Sequence, residues 1–443
     1  MNDSKSGSLD LPEADARRTR GPASALDRLL ARQVLSAIGS TALDIVLWDG
    51  TEISGGSGKP VARVHFSDRG ALYWLLVNPD LHFGDLYSLG RIEVEGDFVR
   101  MLEAAYEGMQ HHSSTPKLIK RFQQRYLNRP RRNSLSGSRD NIHHHYDLGN
   151  EFYRLWLDTE AMQYTCAYFP SPTMTLEAAQ IAKMDHVCRK LQLKPGDTVV
   201  EAGCGWGGLA RHMARHYGVT VRAYNISHEQ VAYAREAARR EGLGGRVEYV
   251  EDDYRNITGT YDAFVSIGML EHVGRDHYLV LGDVIRRSIT GDGRALVHSI
   301  GRNQPEKMNA WIERRIFPGA YPPALSEMME IVEPNGLSLL DAENLRLHYA
   351  RTLEHWLERY ERHAAAIERM FDANFLRAWR LYLAGSIAAF TTGSLQLFQI
   401  VCTHAANNNL AWSRADLYLG GRAEELHRDV WTGDRRTRRK ESA

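Results

Sequence analysis

Apolar positions recur along this chain with two periods, and the changes between them divide it. From Ala25 a helical spacing (Leu29, Leu30, Val34, Leu35, Ile38) gives way to strand-like runs at Ala42 to Trp48, Val61 to Phe66 and Ala71 to Val77. A helical stretch from Phe98 to Tyr106 follows. From about Leu176 to Gly301, short β-favouring runs alternate with helical segments. The runs end near Ala202, Tyr224, Val250, Ile267 and Val297. Such alternation predicts an α/β unit with a doubly wound parallel sheet. Past Gly301 the spacing is largely helical (Leu353, Trp356, Leu357, Tyr360), with one late strand at Leu395 to Val401. The organisation expected is a disordered tail over 1–24, a small mixed α/β domain over 25–112 and a linker over 113–140. A large α/β unit with helical insertions then spans 141–433, before a basic tail at 434–443.

Composition changes this picture only locally. Over 443 residues, 55 Lys and Arg balance 55 Asp and Glu, so no global attraction to nucleic acid is implied. Between Pro116 and Ser138, however, stand Lys117, Lys120, Arg121, Arg125, Arg129, Arg131 and Arg132 without one acid, interleaved with Phe122, Tyr126 and Leu127. Either this is a solvated charge run, or it adheres to an anionic membrane surface at about 1 kcal/mol per cation. The four cysteines form no CxxC pair, so neither a disulfide framework nor a zinc site is expected, which suits a reducing cytoplasm. No apolar run approaches the roughly 20 residues needed to cross a bilayer, and the polar N-terminus lacks a signal-peptide core. A soluble, cytoplasmic protein is expected. His143, His144 and His145 are consecutive and cannot converge on one metal ion without an irregular backbone, so no metal site is assigned.

Candidate chemistry centres on Val199 to Gly208, where a strand ends in Glu201 and Ala202 and leads into Gly203, Cys204, Gly205, Trp206, Gly207 and Gly208. Glycines after a first strand allow close approach of backbone to ligand. Gly203, Gly205 and Gly208 satisfy the dinucleotide fingerprint, which also wants a carboxylate at the end of the second strand. That strand ends in Asn225, Ile226 and Ser227 instead. Glu201 ahead of the glycines is the pattern of S-adenosylmethionine methyltransferases. Further polar residues follow the other strands: Asp253 and Tyr254 after the third, Glu271 and His272 after the fourth, His298 to Gly301 after the fifth. This is the face where such sheets bind ligands. Ser227 and Gln230 have capping-box spacing for the helix that they open.

Beyond these single features, the chain resembles the cyclopropane fatty acid synthases, including the mycolic acid cyclopropane synthases. The resemblance rests on ordered blocks from about Asn141 to Ala411. They are His145 to Tyr153, Tyr164 to Phe169, the Glu201 to Gly208 loop, Gly268 to Gly274, His298 to Gly301, Trp311 with Ile312, Ile316 to Pro318, and Tyr349 with Arg351 to Leu353. It implies a Rossmann-like class I methyltransferase fold that uses S-adenosyl-L-methionine as co-substrate. The acyl alkene takes the methyl, and loss of a proton from the resulting cation closes a three-membered ring. A bound bicarbonate would be the base, held by the backbone of Cys166 and Ile300 and the side chains of Glu271, His298 and Tyr349. Glu271 would also keep a negative charge beside the cation. Tyr164, Thr165, Gly203, Gly205, Asn225, Ile226, Gln230, Asp253 and Tyr254 would hold the co-substrate. The substrate implied is an unsaturated phospholipid in an anionic bilayer, reached by peripheral association with the inner face of the membrane, and a homodimer is expected. The small N-terminal domain would present lipid or mediate dimerisation. Phe371, Phe375, Trp379, Leu381, Tyr382, Leu383 and Phe390 would pack a core or line an acyl tunnel. An alkene methyltransferase making methylene- or methyl-branched chains shares these features, and a non-catalytic lipid-binding protein is the alternative of another class.

Overall fold

The structure, a computed structural model, describes residues 21–39, 42–56, 58–111, 148–414 and 417. The expected tail up to residue 20, the basic linker, the three histidines and the C-terminal tail lie outside the described residues. Gly21 to Ser24, assigned from sequence to the tail, are part of the folded unit. The Trp48 indole donates to the Gly21 carbonyl at 2.6 Å, and the Ala23 amide donates to Asp49 at 2.7 Å. Ser24 then caps the helix Ala25–Ala37 reciprocally with Asp27.

Four strands, β1 (Leu43–Val46), β2 (Glu52–Ser54), β3 (Ala62–Phe66) and β4 (Ile92–Gly96), form the N-terminal sheet in the order β2-β1-β3-β4. Ala71 to Val77, expected as a strand, is helical as part of Arg69–Val77. Asp68 explains the difference, because its carboxylate caps the Ala71 amide at 2.9 Å while it pairs with Arg91. Ala71, Leu72 and Leu75 then face inward at helical spacing, leaving Trp74 and Val77 exposed.

The larger sheet has seven strands: β5 (Thr198–Ala202), β6 (Thr220–Asn225), β7 (Val247–Glu251), β8 (Tyr261–Ile267), β9 (Ile289–Gly301), β10 (Leu337–Asn344) and β11 (Gln396–His404). Their order is β10-β11-β9-β8-β5-β6-β7. β5 to β9 pair in parallel, and β11 runs antiparallel to both β9 and β10. The expected doubly wound core is present, with two corrections. β10 went unread because it is an edge strand with few buried positions. β9 is far longer than expected, so His298, Ser299, Ile300 and Gly301 lie within it rather than beyond it. Held between β8 and β11, its polar residues find partners across the sheet instead of in a loop.

The two units pack directly. The helix Pro79–Ser88 lies against Trp311, and a Cβ added at Gly84 would come within 2.4 Å of the indole. Asp85 pairs with Arg315 at 3.0 Å, and Glu103 accepts from Thr391 at 2.7 Å. Gly84→Ala is therefore expected to lower stability by about 1–3 kcal/mol through overpacking. Chemical denaturation checks this, and an unchanged midpoint would mean that the contact yields without cost.

Candidate functional site

The sheet order reverses at β5, between β6 and β8, and a cleft opens there at the strands' carboxyl ends. Its walls include Tyr164, Thr165, Gly203, Gly205, Asn225, Ile226, Gln230, Asp253 and Tyr254, which are the nine residues the resemblance assigns to the co-substrate. Glu201, Gln163, Met269 and His272 also line it.

Asn225 organises the floor, donating to the Gly205 carbonyl at 3.2 Å and to Gln230 Oε1 at 2.8 Å, while its own Oδ1 accepts from the Ser227 amide. Only half of the expected capping box forms. Ser227 caps the Gln230 amide, but the Gln230 side chain goes to Asn225 instead of closing the box. Asp253 accepts from the Arg255 amide at 2.9 Å and its guanidinium at 3.2 Å. Trp206 also lines the cleft, its indole donating to Asn150 at 2.7 Å and its ring packing on Tyr153.

Two buried atoms on this cleft lack hydrogen-bond partners: Glu201 Oε2 and the Tyr254 hydroxyl. Burial pushes Glu201 up to about 7, with Lys183 and Arg211 partly offsetting that rise. A carboxylate so placed gains by meeting a cation. The orphaned polar atoms and the open space at Gly205 fit S-adenosylmethionine, which carries an ammonium, a sulfonium and a ribose.

The residues proposed for the base lie beside this cleft, and none of the five is among its lining. Glu271 opens the short helix Leu270–Val273 after β8, and its Oε1 accepts from the Ile300 amide at 2.6 Å. The Ile300 N–H is thus spent on Glu271 and acts on the site by orienting that carboxylate. Glu271 Oε2 is buried with no partner. Burial raises Glu271 to about 7, only partly countered by backbone hydrogen bonds. Burial thus favours the protonated form more than water would, and a cation nearby favours the charged one.

His298 sits opposite Ile267 on β8 and Gln399 on β11. Gln399 Nε2 donates to His298 Nδ1 at 3.1 Å, which puts the neutral ring's proton on Nε2. That Nε2 is buried without a partner. Burial lowers His298 to about 3, with Lys183 and Lys190 adding to the effect, so the ring is a neutral donor. An orphaned donor on His298 and an orphaned acceptor on Glu271 suit an anion that also carries a hydroxyl. Bicarbonate fits that description.

Tyr349 packs its ring on Phe390 with centroids 4.7 Å apart. Cys166 is buried, its thiol donates to the Ala167 carbonyl, and burial pushes it far above the usual thiol range. That thiol is no nucleophile.

The aromatic run divides. Phe371, Phe375 and Trp379 pack around Phe152 as core. Tyr382 reaches the site, sharing a 2.9 Å hydrogen bond with Tyr164 and packing on Phe317, which in turn meets His272.

Sequence reading missed Lys183, Gln163, Gln180 and Gln399. The helix Leu176–Lys190 carried a signal: Gln180 and Lys183 fall on the buried stripe with Leu176, Ala179, Met184 and Val187. Polar residues on an apolar stripe need partners inside the fold.

Fold and cleft together define a class I S-adenosylmethionine-dependent methyltransferase. The chain belongs to the mycolic acid cyclopropane synthetase family, whose profile matches residues 133–400. A domain of unknown function matches residues 30–117. The chain is 35% identical over 393 residues to a probable fatty acid methyltransferase of Pseudomonas putida, covering 85% of this chain and 96% of that one. It is 38% identical over 271 residues to the cyclopropane-fatty-acyl-phospholipid synthase of Escherichia coli K12, covering 61% of this chain and 69% of the relative. Among solved structures, the cyclopropane synthase MmaA2 from Mycobacterium tuberculosis superposes with a TM-score of 0.57 at 30% identity, covering 60% of this chain and 97% of that one. The mycolic acid cyclopropane synthase CmaA1 complexed with SAH and CTAB gives the same TM-score at 28% identity, again covering 60% and 97%.

Proposed function

We propose that this enzyme transfers a methylene from S-adenosylmethionine to the cis double bond of unsaturated acyl chains in membrane phospholipids, closing a cyclopropane ring. The observation that carries this reading is the pair of orphaned buried atoms, His298 Nε2 and Glu271 Oε2, beside the co-substrate cleft. S-adenosylmethionine supplies an electrophilic methyl group. Glu201 would meet its ammonium, Asn225 and Gln230 its ribose, and Asp253 and Tyr254 its base. Glu271, oriented by the Ile300 amide, would hold bicarbonate together with His298, Tyr349 and the Cys166 backbone, and the bicarbonate would take the proton. The buried surroundings keep water from the cation, which it would quench.

A second reading has its own support. The Pseudomonas relative, matched over most of both chains, is named a probable fatty acid methyltransferase, and a tuberculostearic acid methyltransferase of Mycobacterium tuberculosis is 35% identical over 276 residues. Loss of a proton from a neighbouring chain carbon would leave a methyl-branched alkene, and a hydride shift before loss of a proton from the added methyl would leave a methylene branch. The structure of the product separates the two.

Among the described residues no helix is long and apolar enough to cross a membrane. A phospholipid substrate on this reading would be reached by docking. The basic stretch from Lys117 to Arg132 is proposed to do this, with the small N-terminal domain presenting lipid or pairing two chains. Vesicle sedimentation checks the electrostatic part. Binding to anionic vesicles is expected to fall sharply near 1 M salt, where the Debye length is about 3 Å. Unchanged sedimentation would rule out charge-driven docking.

A further inference from the structure

Behind the cleft wall lies a cation with no charged partner at contact distance. Lys183 is 1% exposed, and its ammonium donates to Thr165 Oγ1 at 3.0 Å and to Gln163 Oε1. Among the described residues no carboxylate lies within ion-pair distance of its nitrogen. Asp158, Cys166 and Glu201 are the titratable groups that act on it from farther off. Asp158 is occupied, accepting from the Ala161 and Gln163 amides at 2.7 and 2.6 Å. Burial accordingly lowers Lys183 to about 8. A buried ammonium surrounded by neutral acceptors is costly, and an anion brought nearby relieves it.

The segment that Lys183 holds is itself under strain. Met162 has φ +49, in the left-handed region, and the backbone on either side is tied by Asp158 from one side and Gln180 from the other. Strain of this kind persists where the surroundings over-determine it.

Hydrogen-bond direction supplies the chemistry. Thr165 Oγ1 accepts from Lys183, so the hydroxyl's own proton is available to another acceptor, and Thr165 lines the cleft. Gln163 Oε1 accepts from Lys183 in the same way, while its Nε2 donates to the Ala161 carbonyl at 3.5 Å and so ties the strap that carries Thr165. The second- and third-strand ends are taken by ribose and base on the reading above. The remaining end, formed by Glu201, Gly203, Gln163 and Thr165, must meet the amino-acid portion, a zwitterion. Glu201 suits its ammonium, while nothing anionic is needed on the side that Lys183 backs.

We propose that Lys183 is a positioning residue for the co-substrate: by donating to Thr165 from behind, with Gln163 holding its ammonium in place, it turns the Thr165 hydroxyl proton into the cleft and completes a subsite for the α-carboxylate of an amino-acid-bearing nucleoside. This rests on the methyltransferase reading. Lys183 touches no reacting atom and acts through Thr165.

The test uses full-length protein and two ligands, S-adenosylhomocysteine and 5′-methylthioadenosine, which lacks the amino-acid end. Titration calorimetry should show that Lys183→Met weakens S-adenosylhomocysteine by roughly tenfold or more, the scale of a charge-assisted hydrogen bond. The same variant should change 5′-methylthioadenosine by less than about twofold. Thr165→Val should show the same selectivity, and the double variant should be little worse than the poorer single one. Equal weakening of both ligands would make Lys183 merely structural and overturn the proposal, as would no weakening of either. If Lys183→Met fails to fold, Thr165→Val decides alone by the same comparison. A wild-type protein that binds neither ligand would overturn the underlying methyltransferase reading instead.

Discussion

Replacing Glu271 by glutamine is expected to cut lipid methylation by at least a hundredfold while making the protein more stable at alkaline pH. The catalytic loss follows from removing the charge next to a developing cation, an interaction typically worth 10²–10³-fold in rate. Glutamine keeps an oxygen for the Ile300 amide, so the geometry of β9 should survive. The gain in stability follows from linkage. The folded carboxyl titrates near 7, above its unfolded value of 4.5. Between those values the folded state binds more protons than the unfolded state, so stability falls as pH rises through that window. Above it the full cost of a buried charge remains, about 3 kcal/mol as an upper figure at roughly 1.4 kcal/mol per unit. Urea denaturation at pH 5 and pH 8 checks this. Glu271→Gln should match wild type at pH 5 and exceed it at pH 8. A variant less stable at pH 8 would mean that Glu271 is ionised and paired in the fold.

The second large effect concerns the glycine loop, where two glycines should differ in how far substitution costs stability. A Cβ at Gly208 would lie 2.4 Å from the Ala161 carbonyl and 2.6 Å from Gln163 Nε2. Asp158 holds that segment by the Ala161 and Gln163 amides, so it cannot easily retreat. Gly208→Ala should therefore cost about 2–4 kcal/mol of stability and weaken S-adenosylhomocysteine by roughly a hundredfold, although alanine favours a helix by about 1 kcal/mol. At Gly205 a Cβ meets nothing within 4 Å, but φ is +52 and the residue lines the cleft. Gly205→Ala should keep the fold at a cost of about 1 kcal/mol and act chiefly on ligand affinity. Melting curves and calorimetry on both variants check the contrast. Equal effects on stability would show that the strap over Gly208 is looser than its hydrogen bonds imply.

The parts legible in sequence were those carried by periodicity and by glycine. The alternation of β5 to β9 with helices and the ligand face of the sheet follow from short apolar runs and what stands after them, whereas the co-substrate residues were assigned by the family resemblance. Less legible were elements whose character depends on partners far along the chain. Ala71 to Val77 is apolar enough for a strand and is helical because of a cap at Asp68 that is also anchored by Arg91. His298 and Ile300 read as a loop, since a strand interior with histidine and serine looks wrong until Gln399 and Glu271 are seen beside it. Lys183 was passed over because a lysine on a helix is usually solvated, and only the packing reveals its burial.

The most direct measurement is the structure of the lipid product. Purified enzyme, S-adenosylmethionine and vesicles of a monounsaturated phospholipid would be incubated and the acyl chains examined by proton NMR. Mass alone is insufficient, since a ring and a methylene branch each add one CH2. Upfield ring-methylene signals, absent with Glu271→Gln, are the predicted result. Vinylidene or branch-methyl signals in their place would contradict ring closure and make the protein a branching methyltransferase.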